Sequence, residues 1–194
     1  MRLPIVAYYM LFVSLFIFSA ENGHRNTHNF YFQTSGSGSI LFPKLGSFST
    51  GSQTGGVLEQ GFMYMHGSGF SAGILAGFGT YAQSITKENA VYRGFDFYRL
   101  GLSAGYAGQF NNIEWITMVE VNGIVARYEA SVQEFFYPDL RLVGGIGLGG
   151  LHKAYITLPV AVQFRNDLDY AVSFGLGFRL LLNISPALFA GDSD

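Results

Sequence analysis

From Tyr155 to Leu182 the chain reads twice as a strand with two unlike faces. In the second reading Tyr170, Val172, Phe174, Leu176, Phe178, Leu180 and Leu182 alternate with Ala171, Ser173, Gly175, Gly177, Arg179 and Leu181. Successive side chains of a strand point to opposite faces. One face is therefore bulky and apolar, while the other is small and holds an arginine. A water-soluble antiparallel sheet buries its apolar face and shows water a polar one. Here the second face is too poor in polar groups to serve as a solvated exterior. A closed membrane barrel accounts for both, with bulky side chains toward lipid and small ones in a narrow lumen.

Composition fits this reading. Charged residues make up 12% of 194 residues, against about a quarter in ordinary globular domains. Glycine reaches 26, with 19 Phe and 12 Tyr, a mix too apolar for disorder and too glycine-rich for helices. A net charge of −2 gives no basic footprint for nucleic acid. The absence of cysteine removes disulfides, thiol catalysis, cysteine-based zinc sites and a lipidated cysteine.

Residues 1–20 read as a signal peptide. Arg2 gives the positive start, Leu3–Phe18 the apolar stretch, and Ser19-Ala20 the small-residue end before Glu21. Phe18 departs from the small-x-small preference at the cleavage site. The alternative is a retained anchor, but the apolar stretch is short for spanning and Pro4 interrupts it. Residues 21–194 then form one domain.

The mature part predicts eight strands, roughly 29–36, 57–66, 69–82, 91–107, 112–126, 139–150, 154–165 and 169–182. The stretches around His66-Gly67-Ser68, Gly108–Asn111 and Gly150–Lys153 are short turns. Residues 37–56 and 127–138 read as long loops. Short turns at one end and longer loops at the other, with an even strand number, place both termini on the periplasmic side. All three lysines, Lys44, Lys87 and Lys153, fall in predicted loops or turns.

The charges of the predicted strands collect on the glycine and serine face. Glu59, Glu114 and Glu120 point inward with Arg99, Arg141, Arg165 and Arg179. An arginine on the lipid side at the midplane would cost about 2–4 kcal/mol. Unpaired buried charge is also costly, so these groups predict a lumenal ion-pair network that plugs the barrel. The competing reading is a charged channel lining, but eight strands enclose a lumen that side chains alone can fill. Asp96 falls on the aromatic side and is expected above the bilayer.

Aromatic residues gather near predicted strand ends. Tyr64, Tyr106 and Trp115 flank the short turns; Tyr81, Phe164 and Tyr170 flank the loops. Two such bands are the expected interfacial girdles, with a soluble barrel core as the alternative.

Enzymatic signals are weak. Gly145–Gly150 matches GxGxxG, but it leads into another strand rather than a helix, so room inside a tight barrel explains it better than a dinucleotide. His24, His28, His66 and His152 show no metal-ligand spacing. No inward Ser, His and acid set can be assembled for acyl transfer. The chain is therefore read as non-enzymatic, with no cofactor and no metal site.

The ending Tyr155–Phe164 followed by Tyr170–Phe178 resembles the small outer-membrane β-barrel domain family of diderm bacteria. The likeness lies in a penultimate strand with a Leu158-Pro159 step and a glycine-rich last strand. Ser173, Gly175, Phe178 and Leu180 are similar to the signal read by the barrel-assembly machinery. The chain departs from the family by continuing through Asn183–Asp194. The resemblance implies an eight-stranded, antiparallel, up-and-down transmembrane barrel in the outer membrane. It also implies outer-membrane lipid and the assembly machinery as partners.

The expected role is that of a monomeric, surface-exposed envelope protein. Its loops would contact the environment or a host ligand, or its wall would stabilise the membrane. Loop 127–138 carries aromatics and acids that suit contact, or it extends the paired strands above the membrane. The alternative role is a carrier for a small apolar molecule, whose pocket Phe95, Phe97, Ile116, Met118 and Val143 would line.

Overall fold

The computed structural model describes residues 28–45, 48–49, 52–82, 84–85, 91–92, 94–111, 113–128, 134–164 and 170–185. The expected signal peptide lies outside these residues. Eight long strands make the wall: β1 (His28–Leu45), β2 (Gln53–His66), β3 (Phe70–Tyr81), β4 (Phe95–Phe110), β5 (Ile113–Tyr128), β6 (Glu134–Leu148), β7 (Lys153–Gln163) and β8 (Tyr170–Asn183). Each pairs antiparallel with the next, and β8 returns to β1 from Tyr31↔Asn183 to Lys44↔Tyr170. The sheet is closed and has no edge strand among these eight, which removes the unpaired backbone groups that lipid could not satisfy.

The wall is staggered. Paired residues run from Phe30 through Tyr64, Ala72, Ala104, Val119, Leu142, Val160 and Phe174, and then reach β1 at Ile40, ten residues beyond the start. A stagger of this kind is what tilts strands in a closed barrel.

Side chains alternate in and out as the sequence predicts. Leu100, Leu102, Ile146, Leu158 and Leu176 are 61–69% exposed on the outer face. Arg99, Arg141 and Arg179, one position out of phase with that outer set, are almost fully buried in the lumen. Exposed large apolar side chains occur on all eight strands, so the outer face is an apolar band.

Two tight turns use left-handed backbone. Gly69 (φ +95°) lies between β2 and β3, and Asn111 (φ 56°) ends the β4–β5 hairpin. Glycine and asparagine tolerate that region best. The turns 67–69, 111–112 and 149–152 are all at the end where β1 starts and β8 finishes. Connections 46–52, 82–94, 129–133 and 164–169 are at the other end and are longer.

Strand bounds correct the sequence reading. Residues 37–56 are mostly wall: β1 continues to Leu45, the two-residue strand Phe48–Ser49 folds back on it, and β2 begins at Gln53. The stretch 127–138 is likewise extended strand at both ends, paired Arg127↔Glu134. Serine, glycine and charge in these segments resemble loop composition, yet β1 carries its outer apolar face on to Ile40 and Phe42. The predicted strand 91–107 is interrupted: Val91–Tyr92 pairs with Ser84–Ile85, and β4 starts at Phe95. Asp96 is exposed on the outer face and pairs in register with Arg127.

Candidate functional site

The lumen is layered. At the loop end, Leu41, Val57, Tyr81, Phe95, Phe97, Ile124, Ala126, Tyr137 and Ala171 form one apolar cluster. At the turn end, Tyr31, Met63, Met65, Ile116, Met118, Val143, Tyr155 and Leu181 form a second. Between them β2, β4, β5, β6 and β8 each place charged or polar side chains inward.

That middle layer contains three arginines and three acids. Glu59 accepts from Arg99 Nη1 at 2.9 Å and from Arg141 Nη2 at 2.6 Å. Arg141 Nε also lies 2.6 Å from Glu120 Oε2. Glu120 Oε1 accepts from Arg179 Nη2 at 2.5 Å, and Asp139 lies 3.4 Å from Arg99 Nη2. Asn122 Nδ2 donates to Asp139 Oδ1 at 2.7 Å. Charges balance within the layer, as low-dielectric surroundings require of buried ions. Arg99 also carries its guanidinium 5.6 Å from the Phe97 ring centre, which couples the layer to the aromatic cluster beyond it. There Tyr81 stacks on Phe97 at 5.7 Å.

Glycine gives this layer its space. A Cβ on Gly77 would strike Glu59, and one on Gly101 would strike Asn122. The small inner face is therefore the counterpart of large charged side chains reaching in from neighbouring strands.

Glu114 stands apart from the middle layer. It accepts from both Lys153 Nζ, at 2.5 and 2.6 Å, and Tyr155 OH, at 2.8 Å, near the turn end. Lys153 is thus the first residue of β7, with its ammonium on a lumenal carboxylate, not a turn residue. Arg165 lies outside the described residues. Asp139, the first residue of the predicted strand 139–150, joins the network that the sequence reading leaves it out of, and it shares the inward parity of Arg141.

The aromatic residues expected at the interfaces divide. Tyr106, Trp115 and Phe164 are exposed on the outer face, and Tyr64 and Tyr170 are half-buried there. Tyr81, by contrast, is 4% exposed and points inward, where its hydroxyl meets Ser39 Oγ at 2.8 Å. Of the residues resembling the assembly signal, Phe178 and Leu180 face outward, Ser173 is buried inward, and Gly175 shares the inward parity. Phe178 lies over Gly36 of β1, across the strand seam that closes the barrel.

The chain beyond β8 is tied into that seam. Ile184 N–H donates to Phe30 O at 2.8 Å, and Phe30 N–H donates to Ser185 Oγ at 2.7 Å. His152 Nδ1 accepts from Asn183 N–H at 3.1 Å.

Solved structures match this wall. Neisserial surface protein A (NspA) superposes with a TM-score of 0.52 at 11% identity, over 78% of this chain and 96% of that one. By fold, the chain is an eight-stranded antiparallel barrel like that of NspA. Ail of Yersinia pestis, solved with the heparin analogue sucrose octasulfate, gives a TM-score of 0.46 at 12% identity over 81% of this chain and all of Ail. No protein-family model and no curated protein matches the sequence. Among the described residues of this barrel, no group of three His, Asp or Glu side chains is placed to hold a metal ion.

Proposed function

We propose that the barrel is a closed, non-enzymatic outer-membrane protein whose work is done by its outer surface and extracellular rim, not by its lumen. The carrying observation is the ion-paired layer held between two apolar clusters. Water-filled conduction needs an open polar path, and here the charged groups of the middle layer pair with one another. An apolar carrier path fares no better. Phe95 and Phe97 belong to the loop-end cluster, whereas Ile116, Met118 and Val143 belong to the turn-end one, with charges between.

The rim is favoured by strand length. β1 has 18 residues and β5 has 16, against roughly 9–11 needed to cross a bilayer. Among the described residues, the charged positions of the outer face, Asp96 and Arg127, lie near the loop end. This part of the wall would stand clear of lipid and present contact surface to the surroundings or to a host.

The reading is tested by three measurements. Outer-membrane fractions should contain a band whose gel mobility shifts on boiling. The purified barrel in planar bilayers should give no discrete current steps; regular steps would overturn the closed lumen. Because the chain has no cysteine, Arg127→Cys supplies a unique thiol, which an impermeant maleimide should label on intact cells. Labelling only after lysis would overturn the outward rim.

A further inference from the structure

A groove opens on the outer wall where β2, β3 and β4 meet. Its floor is Ala72, Gly73 and Ala104, its volume is about 640 Å³, and Phe62, Tyr64 and Val119 rise at its sides. Ala72 and Ala104 are register partners, each small where neighbouring outward positions are bulky. The recess is therefore built from sequence choices on two strands and is nearly all apolar.

One row of residues toward the turn end the wall changes character. His28 and His66 are cross-strand partners with ring centres 5.4 Å apart. Tyr64, which also borders the groove, meets His28 Nδ1 through its hydroxyl at 2.7 Å. His66 Nδ1 accepts from Ser68 N–H at 3.2 Å. An acceptor Nδ1 leaves the proton of a neutral ring on Nε2. Among the described residues that donor has no partner, and it lies at the depth where strands give way to turns.

We propose that this groove and the imidazole pair form one binding site for a phospholipid of the periplasmic leaflet. An acyl chain lies over Ala72 and Ala104, and a phosphate oxygen accepts from His66 Nε2 beside His28. The proposal rests on the reading that this wall faces lipid. It goes beyond general lipid contact by assigning one site, at one height, to one class of lipid. The occupant follows from the two chemistries in line: apolar at chain depth, hydrogen-bond donors at headgroup depth.

The test uses the full chain, extracted from outer membranes in mild detergent and weighed by native mass spectrometry. Wild type should retain one phospholipid per barrel. Ala104→Phe fills the groove, and His28→Ala with His66→Ala removes the donors; each should lower retention by about tenfold. If Ala104→Phe fails to fold, Ala72→Leu takes its place. No retained phospholipid on a heat-modifiable wild type, or equal retention in all variants, overturns the site. A dimer mass without lipid, lost in Ala104→Phe, also overturns it and assigns the groove to a second copy. Inorganic phosphate that binds the donors without any lipid overturns the acyl half. A wild type that shows no gel shift fails the barrel reading instead, which separates the two outcomes.

Discussion

Arg141 and Glu59 meet across the lumen, Nη2 to Oε2 at 2.6 Å, from strands that stand opposite each other in the ring. Neither strand hydrogen-bonds to the other; β3, β4 and β5 lie between them on one side and β7, β8 and β1 on the other. The pair is thus a strut. Arg179 on β8 and Glu120 on β5 make a second one. Such contacts tie together strands that the backbone ladder links only through intermediaries.

Removing the strut leaves charge without compensation. Arg141→Met would strip partners from both Glu59 and Glu120, and breaking a buried pair typically costs about 3–5 kcal/mol. The urea midpoint of the folded, unboiled gel band should fall accordingly. Arg141→Met combined with Glu59→Gln should recover part of the loss. An unchanged midpoint in the single variant would show that the layer contributes no stability.

Space over the inner glycines is a second requirement. Gly101→Val places methyl groups where Asn122 sits, and Asn122 is the donor that holds Asp139. Overpacking costs about 1–3 kcal/mol. Thermal unfolding in detergent should begin earlier for this variant. Gly144→Val serves as the control, since its Cβ would meet nothing.

The two faces of β4 should respond oppositely to charge. Arg99 is buried in the lumen and Leu100 is 69% exposed on the outer wall. Leu100→Arg puts a guanidinium against lipid, at a cost of about 2–4 kcal/mol if it lies near the midplane. Yield of heat-modifiable protein in the outer membrane should drop. An equal yield would mean this face does not meet lipid.

The seam after β8 gives a fourth prediction. Ser185→Ala deletes the acceptor of Phe30 N–H, worth about 1 kcal/mol. A chain ending at Asn183 also loses the Ile184 to Phe30 bond. The truncated barrel should unfold at a lower temperature than Ser185→Ala. Phe178→Ala, within the segment similar to the assembly signal, should instead lower the amount assembled in cells.

Much of this architecture is legible in single strands. A period of two residues sorts Leu100 from Arg99 and Leu176 from Gly177, because the pleat alone decides which way a side chain points. The number of long strands and the short-turn end follow from where that alternation stops. Strand ends are harder to read. Segment 37–45 opens with Ser37, Gly38 and Ser39, which read as turn residues although the strand runs on to the exposed Ile40 and Phe42, and Arg127 brings charge to the end of β5, so polarity mimics a loop. Tyr81 points into the lumen rather than to the interface for a related reason: an aromatic near a strand end suits either an interface or a lumen cluster.

What the sequence by itself determined is that the wall closes, that its outside is apolar, and that its charges go inward except at Asp96 and Arg127 near the loop end. Only the tertiary structure decided that Arg141 finds Glu59 and not Glu114, that Lys153 is the cation of Glu114, and that Asp139 joins Arg99. These partners sit on strands up to half the ring apart. Their heights depend on the ten-residue stagger of closure, a property of all eight strands together that no local alternation encodes.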